Sequence, residues 1–262
     1  MALNRLLTYT LLFFCLHLSG QGLLIKWESP PGFGMIKYGY LYNWYVTDSI
    51  AGAGWEVPSQ ADWDVLLNHL GGASVAGGKL KSTSGLWNEP NTAATNEVNF
   101  SALPGGFRFF LNGLFTNEGL NGYWWSATGD GTNARRLLMS YDNASVVSNT
   151  VNKSNGFSIR LLRDSTASES GMSDGTIIPN AYKGNDGKKY DGVKIGTQVW
   201  ITTNLAETKY NNGTDIIEVT VNATWTGLTT GARCSYGNDE TNAVLLTGKI
   251  IKGECGRLLI NK

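Results

Sequence analysis

The chain has 262 residues, of which 21 are basic and 21 acidic, so its formal net charge is zero. Charged residues make up only 16% and no polybasic block occurs, which excludes an electrostatic surface for nucleic acid or an anionic membrane. Its 33 glycines and 11% aromatic residues, spaced by Asn, Thr and Ser, are typical of short strands and tight turns around an aromatic core.

The N-terminus has the three-part pattern of a secretory signal. An Arg precedes an apolar run from Leu6 to Leu18, and the small residues Ser19 and Gly20 follow. As a helix, this run is too short to cross a hydrocarbon layer of ~30 Å. We therefore expect residues 1–20 to be a signal peptide or an uncleaved apolar anchor. This predicts an exported protein, outside the cell or at its surface, that contacts a membrane only through this segment if it stays uncleaved.

The first patterned segment spans residues 38–164 and follows a Pro- and Gly-rich linker over residues 21–37. The aromatic run YGYLYNWYV predicts a strand, and PSQADWDVLLNHLGG predicts a helix with Ser59 as its N-cap. The apolar residues of this helix have the spacing i, i+3, i+4 and i+7, and they are Trp63, Leu66, Leu67 and Leu70. We interpret His69 as a solvated residue at the helix end rather than a catalytic base.

Shorter elements are predicted along the rest of the chain. ASVAGGKLK indicates a second helix, residues 82–106 a long loop, and GYWWSAT and GFSIRLLRD short strands. Residues 165–180 lack an apolar pattern and indicate a flexible linker. Residues 181–246 form a second patterned segment with a hairpin, VKIGTQVWITTN, and a short helix with Asn222 as its N-cap. We interpret residues 247–262 as a tail.

The chemical motifs point away from catalysis and metal binding. Two histidines and three cysteines occur without a CxxC pair, which argues against a tetrahedral zinc site. The chain has neither a Gly-x-Ser-x-Gly elbow nor EF-hand spacing, and Gly78 and Lys79 lack the other residues of a phosphate loop. We therefore predict no catalytic residue, metal or cofactor. Cys234 and Cys255 form one disulfide or stay as two thiols, and the sequence leaves both open.

Six motifs follow one another between residues 38 and 164. They are YGYLYNWY, GWEVPSQADWDVLLNHLGG, AGGKLK, WNEPNTAATNEVNFSALPGGFR, GYWWSAT and GFSIRLLRD. In this order they resemble the Fibrobacter succinogenes major paralogous domain family. The resemblance implies an α+β, C-type-lectin-like fold of short twisted antiparallel strands, one or two helices and long loops, similar to the formylglycine-generating enzymes. It also implies binding or adhesion, in exported proteins of bacteria and in their phages.

The C-terminal segment resembles the N-terminal part of the same family. GNDGKKYDGVKIGTQVWITTNLAETKYNNGT and TWTGLTTGARCSYGND normally precede YGYLYNWY, but here they follow GFSIRLLRD. We therefore expect a circularly permuted single domain, in which residues 190–205 pair with the strand at residues 157–163 and cover its edge. Two alternatives stay open: the segment completes a neighbouring copy and gives a homo-oligomer, or it is an unfinished second domain.

The candidate binding face lies in the polar and aromatic strands of residues 121–155. The resemblance implies this region, because the last strands and loops present the binding surface in lectin-like recognition proteins. Since neighbours on a strand point to opposite faces, one of Trp124 and Trp125 is expected to be exposed unless both faces are covered. The predicted ligand-binding residues are Trp124, Arg135, Arg136, Tyr141, Asp142, Asn143 and Asn149.

Together these features favour a non-catalytic recognition or adhesion module, outside the cell or on a virion, that binds a surface glycan or a protein receptor. One alternative is a virion fibre or decoration protein, with the apolar N-terminus as its attachment point. Another is an enzyme like the formylglycine-generating relatives, which use a reactive cysteine pair with copper. Because residues 38–164 contain no cysteine, only Cys234 and Cys255 are candidates for that chemistry.

Overall fold

The computed structural model describes residues 15–18, 23–26 and 35–245 and divides the chain into two compact units. In the first unit, β1 (Cys15–Leu18) pairs antiparallel with β2 (Leu23–Lys26). The expected leader over 1–20 and linker over 21–37 lie largely outside the described residues, and the expected tail over 247–262 lies wholly outside them. Within residues 1–37, the structure shows strands at 15–18, 23–26 and 35–36. No helix in the described ranges is long and apolar enough to cross a bilayer.

The second unit, Gly34–Leu245, combines four sheets with four α-helices. The helices are α1 (Gln60–His69), α2 (Ala73–Leu80), α3 (Asn222–Thr226) and α4 (Glu240–Ala243). Two single turns of 3₁₀-helix lie at Trp44–Val46 and Tyr236–Asn238. Strands predominate over helices, which agrees with the predicted α+β class.

The largest sheet has five strands in the order β6-β5-β7-β8-β9. Its strands are β5 (Gly105–Arg108), β6 (Phe115–Glu118), β7 (Asn121–Asp130), β8 (Asn133–Ser140) and β9 (Val146–Asn152). β7, β8 and β9 form an antiparallel meander, and β5 joins β7 in parallel through a single bridge. The long loop expected over residues 82–106 is confirmed up to the start of β5.

The second sheet has four strands in the order β10-β13-β12-β11. They are β10 (Leu162–Asp164), β11 (Ile177–Lys183), β12 (Lys189–Ile195) and β13 (Gln198–Ile201). Leu162 lies opposite Trp200, and the backbone amide of Leu205 donates to the carbonyl of Ile159 at 2.8 Å. The expected pairing of the C-terminal hairpin with the strand at 157–163 is therefore confirmed.

Two small sheets also join strands from the two ends of the unit. One has the order β14-β15-β4, with β4 (Leu41–Tyr42), β14 (Ile217–Glu218) and β15 (Ala232–Cys234). The other pairs β3 (Met35–Ile36) with β16 (Val244–Leu245). The C-terminal segment thus supplies strands to three of the four sheets of this unit.

Residues 165–180 differ from the expected flexible linker. Arg163 binds the buried carboxylate of Glu169 through two hydrogen bonds of 2.7 and 2.6 Å, and the Thr166 amide donates to the same group at 2.8 Å. The bond from Arg163 lowers the pKa of Glu169 to about 2. A hydrogen-bonded turn results, and β11 begins at residue 177. The apolar pattern of the sequence could not predict this ordered turn, because an ion pair stabilises it.

The helix predictions are confirmed with one correction. α1 starts after Ser59, which forms a capping box with Asp62, and its apolar stripe is buried. His69 lies exposed at its end, as expected. For α3 the predicted N-cap is wrong, because Asn222 is the first helical residue. Its side-chain oxygen accepts a hydrogen bond from Arg108 instead, at 3.0 Å.

A buried polar cluster around Asn204 links the parts of the second unit. The side-chain oxygen of Asn204 accepts from the indole N–H of Trp124 and from Nε of Arg160, both at 2.9 Å. Its amide nitrogen donates to the carbonyl of Tyr38 at 2.8 Å and to the hydroxyl of Ser158 at 3.1 Å. All five residues are buried, so one side chain of the C-terminal segment satisfies polar groups from three other parts of the chain.

Arg160 is fully buried. Its guanidinium is hydrogen-bonded to backbone carbonyl oxygens and is not paired with a carboxylate. Its guanidinium donates to the carbonyls of Phe100, Ser101 and Ile201 at 2.7–2.9 Å, and it lies 4.5 Å from the centroid of the Phe100 ring. Burial lowers the pKa of Arg160 to about 9. The hydrogen bonds offset part of the cost of removing this charge from water.

We expect Asn204→Ala to lower the free energy of unfolding by about 3 kcal/mol or more, because it leaves buried donors on Trp124 and Arg160 without an acceptor. Urea denaturation followed by tryptophan fluorescence measures the change. Asn211→Ala is a matched control, since Asn211 is exposed, and we expect a change within about 0.5 kcal/mol. Equal effects of the two substitutions would contradict the structural role of this cluster.

A second buried cluster lies where the β11–β12 turn meets the segment after β13. Glu207 is fully buried, and its Oε2 accepts from the amide of Asp186 at 3.1 Å. Burial, followed by the charge of Asp186, raises the pKa of Glu207 to about 7, while the Tyr190 hydroxyl and Lys188 oppose the rise. Burial also disfavours ionisation of Asp186, but hydrogen bonds from Lys188 and Thr208 keep its pKa below the ordinary value.

Glu207 is expected to make the protein less stable as the pH rises from 4.5, its ordinary pKa, to about 7. In this window the folded state binds more protons than the unfolded state, so the free energy of unfolding falls with pH. We expect the free energy of unfolding of Glu207→Gln to exceed that of the wild type by on the order of 2 kcal/mol near pH 8 and to equal it near pH 4. Urea denaturation at both pH values, with the exposed Glu89→Gln as control, tests this. A difference that does not change with pH would refute it.

Candidate functional site

An open groove of about 350 Å³, here called the aromatic groove, lies on one face of the five-stranded sheet. Its aromatic lining comes from β5, the turn after β5, β7 and the extended residues before β10. The aromatic residues are Phe107, Phe109, Phe110, Tyr123 and Phe157. These rings come from separate parts of the sequence, and only the folded sheet brings them together.

The rings form a packed platform. Tyr123 and Phe157 stack with centroids 5.3 Å apart and planes 12° apart, and Phe107 lies 4.8 Å from Tyr123. Phe109 and Phe110 meet edge to face at 5.2 Å and stay partly exposed at the rim. Mutual packing restricts the rotation of these side chains. Tyr123 and Phe157 are buried and support the platform from below, so its preformed apolar surface is that of the partly exposed Phe107, Phe109 and Phe110.

Arg108 supports the rim of the groove from the opposite side of strand β5. Because side chains alternate along a strand, Arg108 points away from Phe107 and Phe109 and is fully buried. Its Nε donates to the carbonyl of Gly113 at 2.9 Å, in the turn that follows the rim. Its other nitrogens reach the C-terminal segment, including the Thr220 carbonyl at 3.0 Å. The rim is therefore positioned by a segment that lies more than one hundred residues away in sequence.

Arg136 on β8 is the cationic group of the groove. Its guanidinium carbon lies 5.0 Å from the centroid of the Tyr123 ring. Nε and Nη1 are buried, and neither has a hydrogen-bond partner within the part of the chain that the structure describes. No Asp or Glu is among the described residues that line the groove. Burial lowers the pKa of Arg136, but a guanidinium stays protonated, so an uncompensated positive charge faces the groove.

Val151 and three asparagines complete the lining, and one of the asparagines is structural. Asn155 is buried, accepts from the amide of Phe110 at 3.2 Å and donates to the carbonyl of Asn152 at 2.9 Å. Asn133 lies opposite Asn152 in the β8–β9 pairing, at the end of the groove. Primary amides donate and accept hydrogen bonds, so Asn133 and Asn152 add polar groups of both kinds to a mostly aromatic surface.

The structure brings two of the seven predicted ligand-binding residues together. Arg136 lies opposite Asn149 in the β8–β9 register, and directly opposed side chains share a face of the sheet. Arg136 lines the groove, and Asn149 is exposed beside it. Arg135 is the preceding residue of the same strand, so its side chain projects from the opposite face. The roles of Arg136 and Asn149 in binding stay predictions, whereas Arg135 is not among the residues that line the groove.

The prediction of Trp124 as a surface contact is wrong. Both Trp124 and Trp125 are fully buried, because both faces of β7 are covered. One core cluster contains Trp124, and a second contains Trp125, whose indole N–H donates to the carbonyl of Tyr42 at 2.8 Å. The adjacent tryptophans are therefore core residues of two packed layers and not a binding platform.

The remaining predicted residues lie in the turn between β8 and β9, away from the groove lining. Tyr141 packs against the core, while Asp142 and Asn143 are exposed. The buried Lys81 donates to the carbonyls of Ser140 and Asn143, both at 2.9 Å, and holds this turn. These residues and the groove do not form one site.

Sequence reasoning missed the aromatic half of the groove. A signal was present in GFRFF, where Phe107 and Phe109 alternate with Arg108 in the pattern of a strand with one aromatic face. The pairing of this strand with the meander that carries Tyr123 was not readable from the sequence. The groove therefore could not be assembled from the motif alone.

A larger cleft of about 730 Å³ lies near the end of α1, but its charged groups already satisfy one another. Asp174 pairs with His69 at 2.6 Å and with Lys194 at 3.5 Å, and accepts from the amide of Gly196 at 2.8 Å. These contacts join the turn after β10 to the β12–β13 hairpin. A structural role accounts for them, so this cleft is a weaker candidate than the aromatic groove.

The described residues offer little for metal or thiol chemistry. Within residues 35–245, no group of three or more His, Cys, Asp or Glu side chains could hold a metal ion. Cys234 is fully buried, and burial raises the pKa of its thiol to about 12, which opposes formation of the nucleophilic thiolate. Cys255, and with it the expected choice between a disulfide and two thiols, lies outside the described residues.

The Fibrobacter succinogenes major domain family matches residues 33–163, half of the chain. The chain belongs to this family. No curated protein matches it, and neither does any solved structure. The family match contains the five strands of the groove sheet and Arg136, whereas β11 to β16 lie beyond it.

Two arginines allow a test of the groove as a binding site, since Arg136 has unpaired donors and Arg160 has satisfied ones. We expect Arg136→Met to raise the free energy of unfolding by about 1 kcal/mol, because it removes a desolvated, uncompensated charge. Arg160→Met is expected to lower it by about 3 kcal/mol or more, since buried carbonyls lose their donor. Urea denaturation of both variants measures the effects. Similar losses in the two would show that Arg136 is structural.

Proposed function

We propose that this protein is a non-catalytic recognition module that binds a glycan through the aromatic groove. The observation that carries the proposal is the groove itself, in which a preformed aromatic platform lies beside the unpaired guanidinium of Arg136. A protein would not be expected to keep a desolvated charge without a partner unless function requires it. Family membership supports the proposal only in a general way, because a fold family does not define a ligand.

The chemistry of the lining favours a sugar over a purely apolar ligand. One face of a pyranose presents C–H groups that pack on aromatic rings, such as the partly exposed rings of Phe107 and Phe110. Its hydroxyls both donate and accept hydrogen bonds, as do the amides of Asn133 and Asn152. A few polar groups around an apolar surface are the usual composition of a small-ligand site.

We propose that recognition takes place outside the cell or at its surface, with a virion surface as the alternative. The apolar N-terminal run and the small residues after it support export. The low charge and the lack of a basic block are consistent with a ligand other than nucleic acid.

We also propose that Gly34–Leu245 is a circularly permuted, C-type-lectin-like domain. β16 and β3 support the permutation, because Leu245 pairs with Met35 and the two ends of the unit lie on adjacent strands. Paired residues are about 5 Å apart, so the family's order of segments needs only a short connection between these ends. The pairing of β10 with β13 supports completion of the domain by its own C-terminal segment.

A glycan array tests the proposed function. We expect the wild-type protein to retain a defined group of glycans, and Phe110→Ala to weaken binding by about tenfold or more, because a groove aromatic is lost. Leu111→Ala is the matched control, since its side chain is exposed next to the rim but does not line the groove. Binding that is unchanged in Phe110→Ala, or absent from the array altogether, would refute the proposal.

A rearranged chain tests the permutation. We expect a protein in which residues 177–245 precede residues 35–164, joined by a short flexible linker, to unfold cooperatively with a stability within about 2 kcal/mol of the original. Residues 35–176 alone are expected to aggregate or to lack cooperative unfolding, because β10 loses its neighbour. A soluble, cooperatively folded fragment 35–176 would contradict completion by the C-terminal segment. A rearranged chain that fails to fold would contradict the permutation.

A further inference from the structure

We infer that the ligand of the aromatic groove is an acidic sugar, in which a carboxylate on the ring pairs with Arg136 while the ring stacks on the aromatic platform. This inference rests on the proposed function of the groove and names the chemical class of its ligand. It follows from the state of the Arg136 donors, from the charge of the lining and from the nature of the surrounding surface.

The donors of Arg136 are placed for an external acceptor. Nε and Nη1 are both buried without a hydrogen-bond partner in residues 35–245, so no described group satisfies this side of the guanidinium. Packing against the Tyr123 ring, 5.0 Å away, restricts the orientation of the guanidinium. A carboxylate offers this guanidinium two acceptor oxygens and a compensating negative charge, whereas a hydroxyl offers an acceptor without charge.

The charge of the groove matches a monoanion. Arg136 is the one cation among the described residues that line it, and none of these residues is acidic. A phosphate or sulfated polymer usually meets several cations, and a phosphate group carries up to two charges. One guanidinium in a low-dielectric aromatic setting neutralises one carboxylate. An ion pair there is less screened by salt than one on the open surface.

The surroundings favour a carboxylate on a sugar over the carboxyl terminus of a peptide. Peptide termini are usually captured by successive backbone N–H groups, but here aromatic and amide side chains line the groove. Phe109 and Phe110 form an apolar edge beside the guanidinium, where the C–H face of a pyranose can pack. Asn149, opposite Arg136 and exposed, lies where neighbouring hydroxyls can be reached.

The test compares an oligogalacturonate with its methyl ester, which keeps the sugar and removes only the charge of the carboxylate. Isothermal titration calorimetry measures both ligands with wild type, Arg136→Gln, Arg136→Lys and Arg135→Gln. Arg135→Gln is the matched control, because it removes the same charge from the opposite face of the same strand. A peptide with a free carboxyl terminus and its amide form the second pair of ligands.

We expect the wild type to bind the acid about tenfold or more tightly than the ester. Arg136→Gln should reduce binding of the acid to the level of the ester, Arg136→Lys should restore part of it, and Arg135→Gln should leave it unchanged.

Equal binding of acid and ester, both lost in Phe110→Ala, would overturn the acidic-sugar inference while the proposed glycan site stands. Equal losses of affinity for the acid in Arg135→Gln and Arg136→Gln would also overturn it. So would a protein that binds the free peptide more tightly than its amide and binds neither sugar. If the wild-type protein also binds no glycan on a full array, the proposed function itself fails.

Discussion

The second unit depends on the hydrogen bonds of Asn204. Its amide group has two donors and two acceptor sites, and the four bonds that it makes reach Trp124, Arg160, Tyr38 and Ser158. Each partner is buried, so the absence of this side chain would leave unpaired polar groups that water cannot reach. The buried polar groups of the preceding strands therefore depend on the C-terminal segment for their hydrogen bonds.

The same dependence extends to the groove. Arg108 stacks on Trp225 of α3, with its guanidinium carbon 4.5 Å from the ring, and the Trp225 indole N–H donates to the Ser154 carbonyl at 2.9 Å. Strand β5 and the residues after β9 are thereby held to a helix of the C-terminal segment. The family match covers the strands of the groove, but their arrangement needs residues beyond it. The arrangement of the groove is therefore coupled to the rest of the unit.

The arginines Arg108, Arg160 and Arg136 differ in how their hydrogen-bond donors are satisfied. Arg108 and Arg160 are fully buried, yet their guanidinium groups donate to backbone carbonyls in well-defined directions. Arg136 packs against the ring of Tyr123, but its Nε and Nη1 have no hydrogen-bond partner among the described residues. An unpaired buried donor costs about 1–3 kcal/mol, and this cost is the physical basis of the binding site proposed above.

The sequence by itself determined the helix at Ser59, the buried stripe of Trp63, the short strands and the family, because local capping and apolar periodicity encode these features. The family resemblance also predicted, as one of three alternatives, that the C-terminal hairpin pairs with the strand before it, and the structure shows this pairing. Only the tertiary structure decided that Trp124 is core and that Arg136 faces an aromatic groove. Whether a side chain is exposed depends on what covers each face of its strand, and those covering groups come from distant segments whose positions no local pattern records.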